Sequence, residues 1–272
     1  MDTAGIRLER ENKIATIILD RPERKNTLNA AMWAALDGAV AELEKDLPHV
    51  VVITGAGDST FCAGMDVNPD NPQIKEVMEG VFNNERAPVE QLITGLRAVI
   101  DRLVSLPVPI IAAINGNAYG GGAELAVRCD MRVMAPGAEL CFSEVRLGLM
   151  PDWGGGVALT RLVGPGTAAE LILTARSITA DRALQLGLVN RVSAAGAARE
   201  EALEMAKAIS ANGPLAVRSA LAVIRKTPDM TYENALDLEY EKAVSLITSG
   251  ECVHGIAAFI SKEKPEFPAP QC

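Results

Sequence analysis

The reading of this chain turns on residues 107–129: Pro107-Val-Pro-Ile110-Ile-Ala-Ala-Ile114-Asn-Gly116-Asn-Ala-Tyr-Gly120-Gly-Gly122-Ala-Glu124-Leu-Ala-Val-Arg-Cys129. Five apolar residues with no polar alternation follow a Pro-x-Pro brake, which predicts a strand buried on both faces. Three consecutive glycines then break the extended chain, and a helix is expected from Ala123 to about Cys129. Strand, glycine break and helix in that order make one α/β unit.

Working outward, the same alternation recurs. Ile14-Ala-Thr-Ile-Ile-Leu19 reads as a buried strand ended by Asp20-Arg-Pro22. Asn29 is placed to cap a helix running to about Lys45. Residues 49–54 form a second buried strand, closed by Gly55-Ala-Gly57. Residues 66–88 are polar, hold three prolines, and read as an irregular loop with a short helix. An amphipathic helix is expected over 89–106, and short strands near 131–135 and 140–143. Helices are expected at 159–163, 168–173 and 178–186. From 197 to 262 the pattern is helical, broken at Gly213-Pro214 and Pro228. The expected organisation is an α/β core over 1–196 and a helical region over 197–272.

Composition narrows the function classes. With 272 residues and 49% hydrophobic content, the chain can bury a large core. A formal net charge of −9 repels nucleic acid and anionic lipid, so neither is expected as a partner. The five cysteines (Cys62, Cys129, Cys141, Cys252, Cys272) are scattered with no CxxC pair, so no metal site or disulfide framework follows. A reducing cytoplasm is the expected compartment. The first ten residues carry charges and no apolar stretch, unlike a signal peptide. Only His49 and His254 are present, so catalysis is expected to rest on carboxylates and backbone groups.

Two segments place unpaired N–H groups where a strand is expected to break into a helix. They are Phe61-Cys-Ala-Gly-Met-Asp66 and Gly116-Asn-Ala-Tyr-Gly-Gly-Gly-Ala-Glu-Leu125. Two such N–H groups from different turns can hold a developing oxyanion. Taken singly, each feature has an ordinary structural account. The glycines permit tight crossover packing, Glu124 suits the dipole of its own helix, and Glu144 is a surface partner of Arg146.

Together these segments resemble the enoyl-CoA hydratase/isomerase (crotonase) family. The resemblance runs from Ile14 to Phe267 and includes Arg21-Pro-Glu-Arg-Lys25-Asn-Thr-Leu-Asn29, Phe61 to Asp66, and Gly116 to Ala126. It continues through Phe142-Ser-Glu144-Val-Arg-Leu-Gly148-Leu-Met-Pro151-Asp152-Trp-Gly-Gly, Ala183-Leu-Gln-Leu-Gly-Leu-Val189 and Ala258-Phe259-Ile-Ser-Lys262. It implies a spiral of ββα units followed by a C-terminal helical region that builds trimers, commonly paired into hexamers. It implies an acyl-CoA substrate, with coenzyme A part of that substrate and no separate cofactor. The N–H groups of Met65 and Gly121 would form the oxyanion hole. Glu144 would deliver a proton to the α-carbon, while Glu124 binds and deprotonates the attacking water.

Asp152 stands where dienoyl-CoA isomerases carry a proton-shuttling aspartate, and it could equally cap the next helix near Gly154. Ser143 replaces the proline typical of hydratases. Arg24 and Lys25, with backbone around Ala63 and Asp66, would contact coenzyme A. Phe259 and Lys262 would close the nucleotide site, often from a neighbouring subunit. Hydration is the leading expectation, double-bond isomerisation the second, and a non-catalytic acyl-CoA-binding role the third.

Overall fold

A computed structural model describes residues 2–268, so Cys272 lies outside the described residues. The chain begins with β1 (Asp2–Thr3), β2 (Ile6–Glu11) and β3 (Ile14–Leu19), then α1 (Ala30–Lys45). Next come β4 (Val50–Gly55), β5 (Thr60–Cys62), α2 (Pro72–Phe82) and α3 (Ala87–Ser105). They are followed by β6 (Ile110–Ile114), β7 (Asn117–Tyr119) and α4 (Gly121–Arg128). The next elements are β8 (Met131–Met134), β9 (Glu139–Cys141) and α5 (Gly155–Thr174). A strand β10 (Ile178–Thr179), helix α6 (Ala180–Gln185) and strand β11 (Arg191–Val192) precede the final helices. Those are α7 (Ala198–Ser210), α8 (Pro214–Lys226), α9 (Tyr232–Thr248) and α10 (Glu251–Ser261).

Two sheets result. The larger has the order β1-β2-β3-β4-β6-β8-β11, the smaller β10-β9-β7-β5. From β3 to β11 the larger sheet is parallel, with Ile17 beside Ile53, and Ile53 beside Ala112. The chain goes from β4 to β5, from β6 to β7 and from β8 to β9. Each step crosses from the larger sheet to the smaller, and each return adds one rung. This is the expected spiral of ββα units.

The central strands are buried throughout because both faces are covered. One face packs with α1, α3 and α4 into the main core, around Ile17, Ile53, Phe61, Leu103 and Leu125. The other face meets α7, whose Ala202 and Ala206 sit against Val50, Val52, Ile111 and Val133. The first helix of the expected C-terminal region thus covers the sheet. Small side chains on α7 let it lie close to the strands.

Two expectations need correction. Residues 61–66 do not lead into a helix, since β5 ends at Cys62 and α2 begins only at Pro72. Residues 63–66 instead run alongside 25–28, through Ala63 N to Lys25 O (3.1 Å), Leu28 N to Gly64 O (2.8 Å) and Asp66 N to Leu28 O (2.9 Å). Residues 178–186 are not one helix, because Ile178 and Thr179 pair with Leu140 and Glu139 before α6 starts. The two helices expected at 159–163 and 168–173 both form, as the two arms of α5 on either side of Gly164, whose φ of 78° and ψ of 162° are not helical.

Asn26 ties this framework to the site. Fully buried and left-handed (φ 53°), it accepts Arg21 N at 2.9 Å and donates to Ala56 O (3.0 Å) and Thr60 O (2.8 Å). Asn tolerates this φ and carries both the donors and the acceptor needed. Asn26→Ala is expected to lower unfolding free energy by about 2–3 kcal/mol, since it strands two buried carbonyls and strains the backbone. A urea melt checks this, and a loss under half a kcal/mol would contradict the role.

Candidate active site

The site lies where the glycine turn of α4 meets the strand end at residues 62–64. Gly122 must lack a side chain, because a β-carbon there would fall 2.0 Å from Cys62 O. Gly64 has φ +86°, and a β-carbon on it would stand 2.9 Å from the Gly121 nitrogen. The turns carrying Met65 and Gly121 are therefore in direct apposition. Gly121 N–H opens α4 and has no intrahelical acceptor. Met65 N–H likewise has no acceptor among the described residues. Two unspent backbone donors thus sit on touching turns.

Glu124 lies one turn into α4 and is 1% exposed. Its carboxylate reaches the start of α5, where Oε2 accepts Trp153 N and Gly155 N, both at 2.9 Å, and Oε1 accepts Asp152 N at 3.3 Å. Glu124 is thus the N-terminal cap of α5, supplied by a different helix. The role that sequence reasoning offered Asp152, capping near Gly154, belongs to Glu124. No side chain of the cap residue Gly154 could do it.

Glu144 heads the short 3-10 turn Glu144–Leu147 and is 8% exposed. Its Oε1 lies 3.7 Å from where a Gly120 β-carbon would stand, so the carboxyl abuts the glycine turn. Among the described residues no backbone N–H of another residue reaches either carboxyl oxygen, and its own N–H is the one backbone group that favours its ionised form. Arg146 does not pair with it, since its guanidinium turns away to Ala175 O at 2.5 Å. The group facing Glu144 is the Glu124 carboxyl, which can bond it only through a shared proton.

Burial raises both acids. Desolvation pushes Glu124 up to about 8, against the opposing Gly155 N–H, and the Glu144 and Asp152 charges add to the rise. Glu144 is raised chiefly by desolvation, with Asp152 contributing. Asp152 itself, exposed overall, is raised because burial of its carboxyl outweighs the bond to its own N–H. The glutamates titrate as a pair that keeps one proton near neutral pH. Three N–H donors fix negative charge on Glu124, so the proton belongs on Glu144. One acid and one base result.

Trp153 completes the wall. Its ring atoms stand 2.4 Å from where a Gly121 β-carbon would be, and its indole meets Trp33 edge-on at 4.8 Å. Sequence reasoning passed over Trp153 and also Arg128, which donates to Trp153 O at 2.8 Å and to Asp101 at 2.6 Å. The available signal was spacing: Arg128 is four residues after Glu124 and shares its helical face.

The remaining sequence candidates are more dispersed. Arg24 and Lys25 are exposed beside a cleft of about 340 Å³ that Arg21, Asn29 and Asp66 help to line. Asp66 is already committed, with its carboxylate on Arg21 (2.5 Å), its N–H on Leu28 O and its carbonyl on Asn71 (2.7 Å). Ala63 donates its N–H to Lys25 O. Phe259 is 84% exposed on α10, and neither it nor Lys262 bonds to the Arg24–Lys25 region among the described residues. One chain alone does not bring these two to the site.

Comparison with known proteins agrees with this geometry. The family model described as enoyl-CoA hydratase/isomerase matches residues 9–270. A short-chain-enoyl-CoA hydratase of Clostridium acetobutylicum is 35% identical over 98% of each chain. A crotonyl-CoA hydratase of Syntrophomonas wolfei is 34% identical over 97% of each. The crystal structure of an enoyl-CoA hydratase from Bacillus anthracis superposes with a TM-score of 0.87 at 33% identity, covering 97% of this chain and 99% of that one. Spiral, glycine turns and sequence kinship agree, and the chain belongs to the enoyl-CoA hydratase/isomerase family.

Proposed function

We propose that this protein adds water across the 2,3 double bond of an unsaturated acyl-CoA thioester. The observation that carries the proposal is the buried pair: Glu124 anchored by three N–H donors of another helix, Glu144 with no neighbouring residue's N–H on its carboxyl among the described residues. In the proposed reaction the thioester oxygen accepts the Met65 and Gly121 N–H groups, which stabilise the enolate as it forms. Water, held by the glutamates, attacks C3 while its proton passes to Glu124. Glu144 gives its proton to C2. The two transfers balance, and exchange between the carboxyls restores the starting protonation.

Coenzyme A is part of the substrate, so the reading calls for no separate cofactor. Its nucleotide would lie near Arg24, Lys25 and the Ala63 carbonyl. Phe259 and Lys262 would reach it from a neighbouring chain. A trimer, or a dimer of trimers, is supported by the exposed apolar row Tyr232, Leu236, Tyr240, Val244 and Ile247 along α9. Burial of that row in an assembly would be favourable. Among the described residues no single helix is long and apolar enough to cross a membrane, and a cytoplasmic location accords with the free thiols of Cys62, Cys129 and Cys141.

A second reading has one observation behind it. Asp152 adjoins the pair, with its N–H on Glu124 Oε1 at 3.3 Å, and its charge opposes ionisation of both glutamates. With Asp152 relaying protons, the enzyme would move a double bond instead of adding water.

Hydration of crotonyl-CoA, followed as loss of the conjugated thioester absorbance, tests the first reading. Glu144→Gln and Glu124→Gln should each lower kcat by about 10²–10⁴-fold with folding intact. Retention of most activity in both would refute the pair's role. Asp152→Asn should leave most hydration in place; abolished turnover, with solvent deuterium entering the substrate in the parent enzyme, would favour isomerisation. The shared proton also predicts a bell-shaped pH profile whose alkaline limb falls where the pair as a unit gives up that proton, near about 8.

Stability should follow the same proton. The buried pair holds its shared proton up to about 8, well above the ordinary carboxylate range, so the folded state binds that proton more tightly than the unfolded chain does. That contribution is full below the unfolded value and is lost as pH rises through about 8. The thermal midpoint should therefore fall on going from mildly acidic to mildly alkaline buffer, and Glu124→Gln should flatten the slope. An unchanged slope in the variant would contradict the assignment.

A further inference from the structure

The Glu124 carboxylate is only as well placed as the turn that caps it, and that turn is gripped from a second point. Arg128 stands one helical turn after Glu124 on the same face of α4. Glu124 accepts N–H groups from residues 152, 153 and 155, whereas Arg128 donates Nη1–H to the carbonyl of Trp153. One helix face thus holds both polarities of the same turn. Arg128 is held in its turn by Asp101 of α3, through Nη2 at 2.6 Å, and Arg97 supports Asp101 at 3.3 Å. The fit is tight, since a β-carbon on Gly154 (φ +89°) would meet Arg128 Nη1 at 2.1 Å.

We propose that Arg128 is a positioning residue for hydration: it fixes the turn at residues 153–155, and so fixes the donors that keep Glu124 anionic. The inference rests on the reading of Glu124 as the base that takes a proton from water. Arg128 acts through the turn and not by direct pairing, because its own bonds go to Trp153 and Asp101. Trp153 links the halves of the site, with its N–H on Glu124 and its indole under Gly121. A loosened turn would disturb base and oxyanion donor together.

The charged and titratable groups around Glu124 leave this route open. Glu144, from the turn after β9, and Asp152, before α5, both oppose its ionisation. From β5 the titratable neighbour is Cys62, whose thiol burial pushes up to about 12 and keeps neutral. From β7 it is Tyr119, raised by burial and by its bond to Glu139, and so neutral as well. On α5, Arg161 is engaged with Asp229 and Glu170 with Arg176. With no cation bonded to the Glu124 carboxyl, its ionisation depends on the backbone donors that Arg128 steadies.

The test compares Arg128→Met, Arg128→Lys, Asp101→Asn and Glu124→Gln for crotonyl-CoA hydration between about pH 5 and 9. In Arg128→Met kcat at neutral pH should fall about tenfold, KM should stay within about twofold, and the acidic limb should move up by about half to one pH unit. Arg128→Lys, which keeps one donor for the Trp153 carbonyl, should return the limb towards its original place. Asp101→Asn should shift it in the same sense by less, and it carries the test if Arg128→Met does not fold. A lowered thermal midpoint with an unmoved pH profile would mean Arg128 is merely structural and would overturn the proposal. Retained hydration in Glu124→Gln would instead overturn the reading of the pair, and the proposal with it. An inactive Glu124→Gln beside an unmoved Arg128→Met profile sinks only the positioning role.

Discussion

The structure depends on a carboxylate buried at the start of a helix it does not belong to. Glu124, almost wholly enclosed, survives there because the first turn of α5 offers it N–H donors and the positive end of a helix dipole. An unpaired carboxylate in that position would simply keep its proton. Glu144, beside it, has no such helix-terminal donors, and in the proposed reaction this difference in backbone surroundings would separate two chemically identical side chains into acid and base. The same contact joins α4 to α5, so the fold and the site share one interaction. Gly155 shows how closely: a β-carbon there would lie 2.4 Å from the Glu124 side chain.

Glycine makes the approach of backbones around this contact steric fact. Gly122 lies on Cys62, Gly64 on Gly121, Gly121 against the Trp153 ring, and Gly154 against Arg128. Donors carried by such packed peptides cannot swing away to meet one another or to find water. That rigidity is what an oxyanion site requires, since a donor that must reorganise during reaction gives back part of its stabilisation. The Asn26 bonds and the 25–28 pairing perform the same service for the Met65 side of the site.

Much of this was legible in the sequence, and the unread parts have physical causes. Strands β3, β4 and β6 declare themselves because their five or six residues are apolar apart from Thr16, Thr54 and Gly55, with no polar alternation, and all are buried. Strand β9 was read near 140–143, but β5 and β7, with three residues each, are too short for a two-residue period to register, so residue pattern did not join these strands into a second sheet. Glu124 and Glu144 were found through motif resemblance, but their surroundings were not. Arg146, two residues from Glu144, suggested an ion pair in one dimension, and the 3-10 turn sends it to Ala175 instead. Asp152 looked like a cap because it precedes α5; the cap came from 28 residues upstream. Long-range donors of that kind leave no local signature.

The site also divides its electrostatic labour between groups that titrate and groups that do not. Backbone amides at Met65 and Gly121 keep their protons throughout the physiological range, so in the proposed reaction the stabilisation they would offer an enolate would be independent of pH. The carboxyl pair is the opposite, sharing a proton whose release is set by burial and by neighbouring negative charge. Oxyanion donors on the backbone would therefore leave the glutamates as the pH-sensitive element and free the side chains of residues 65 and 121 from chemistry. Met65 can vary in type for that reason, whereas Gly121 cannot, because the Trp153 ring occupies the space its side chain would need. The constraint on position 121 is thus one of volume, and it runs through the residue whose N–H steadies the base.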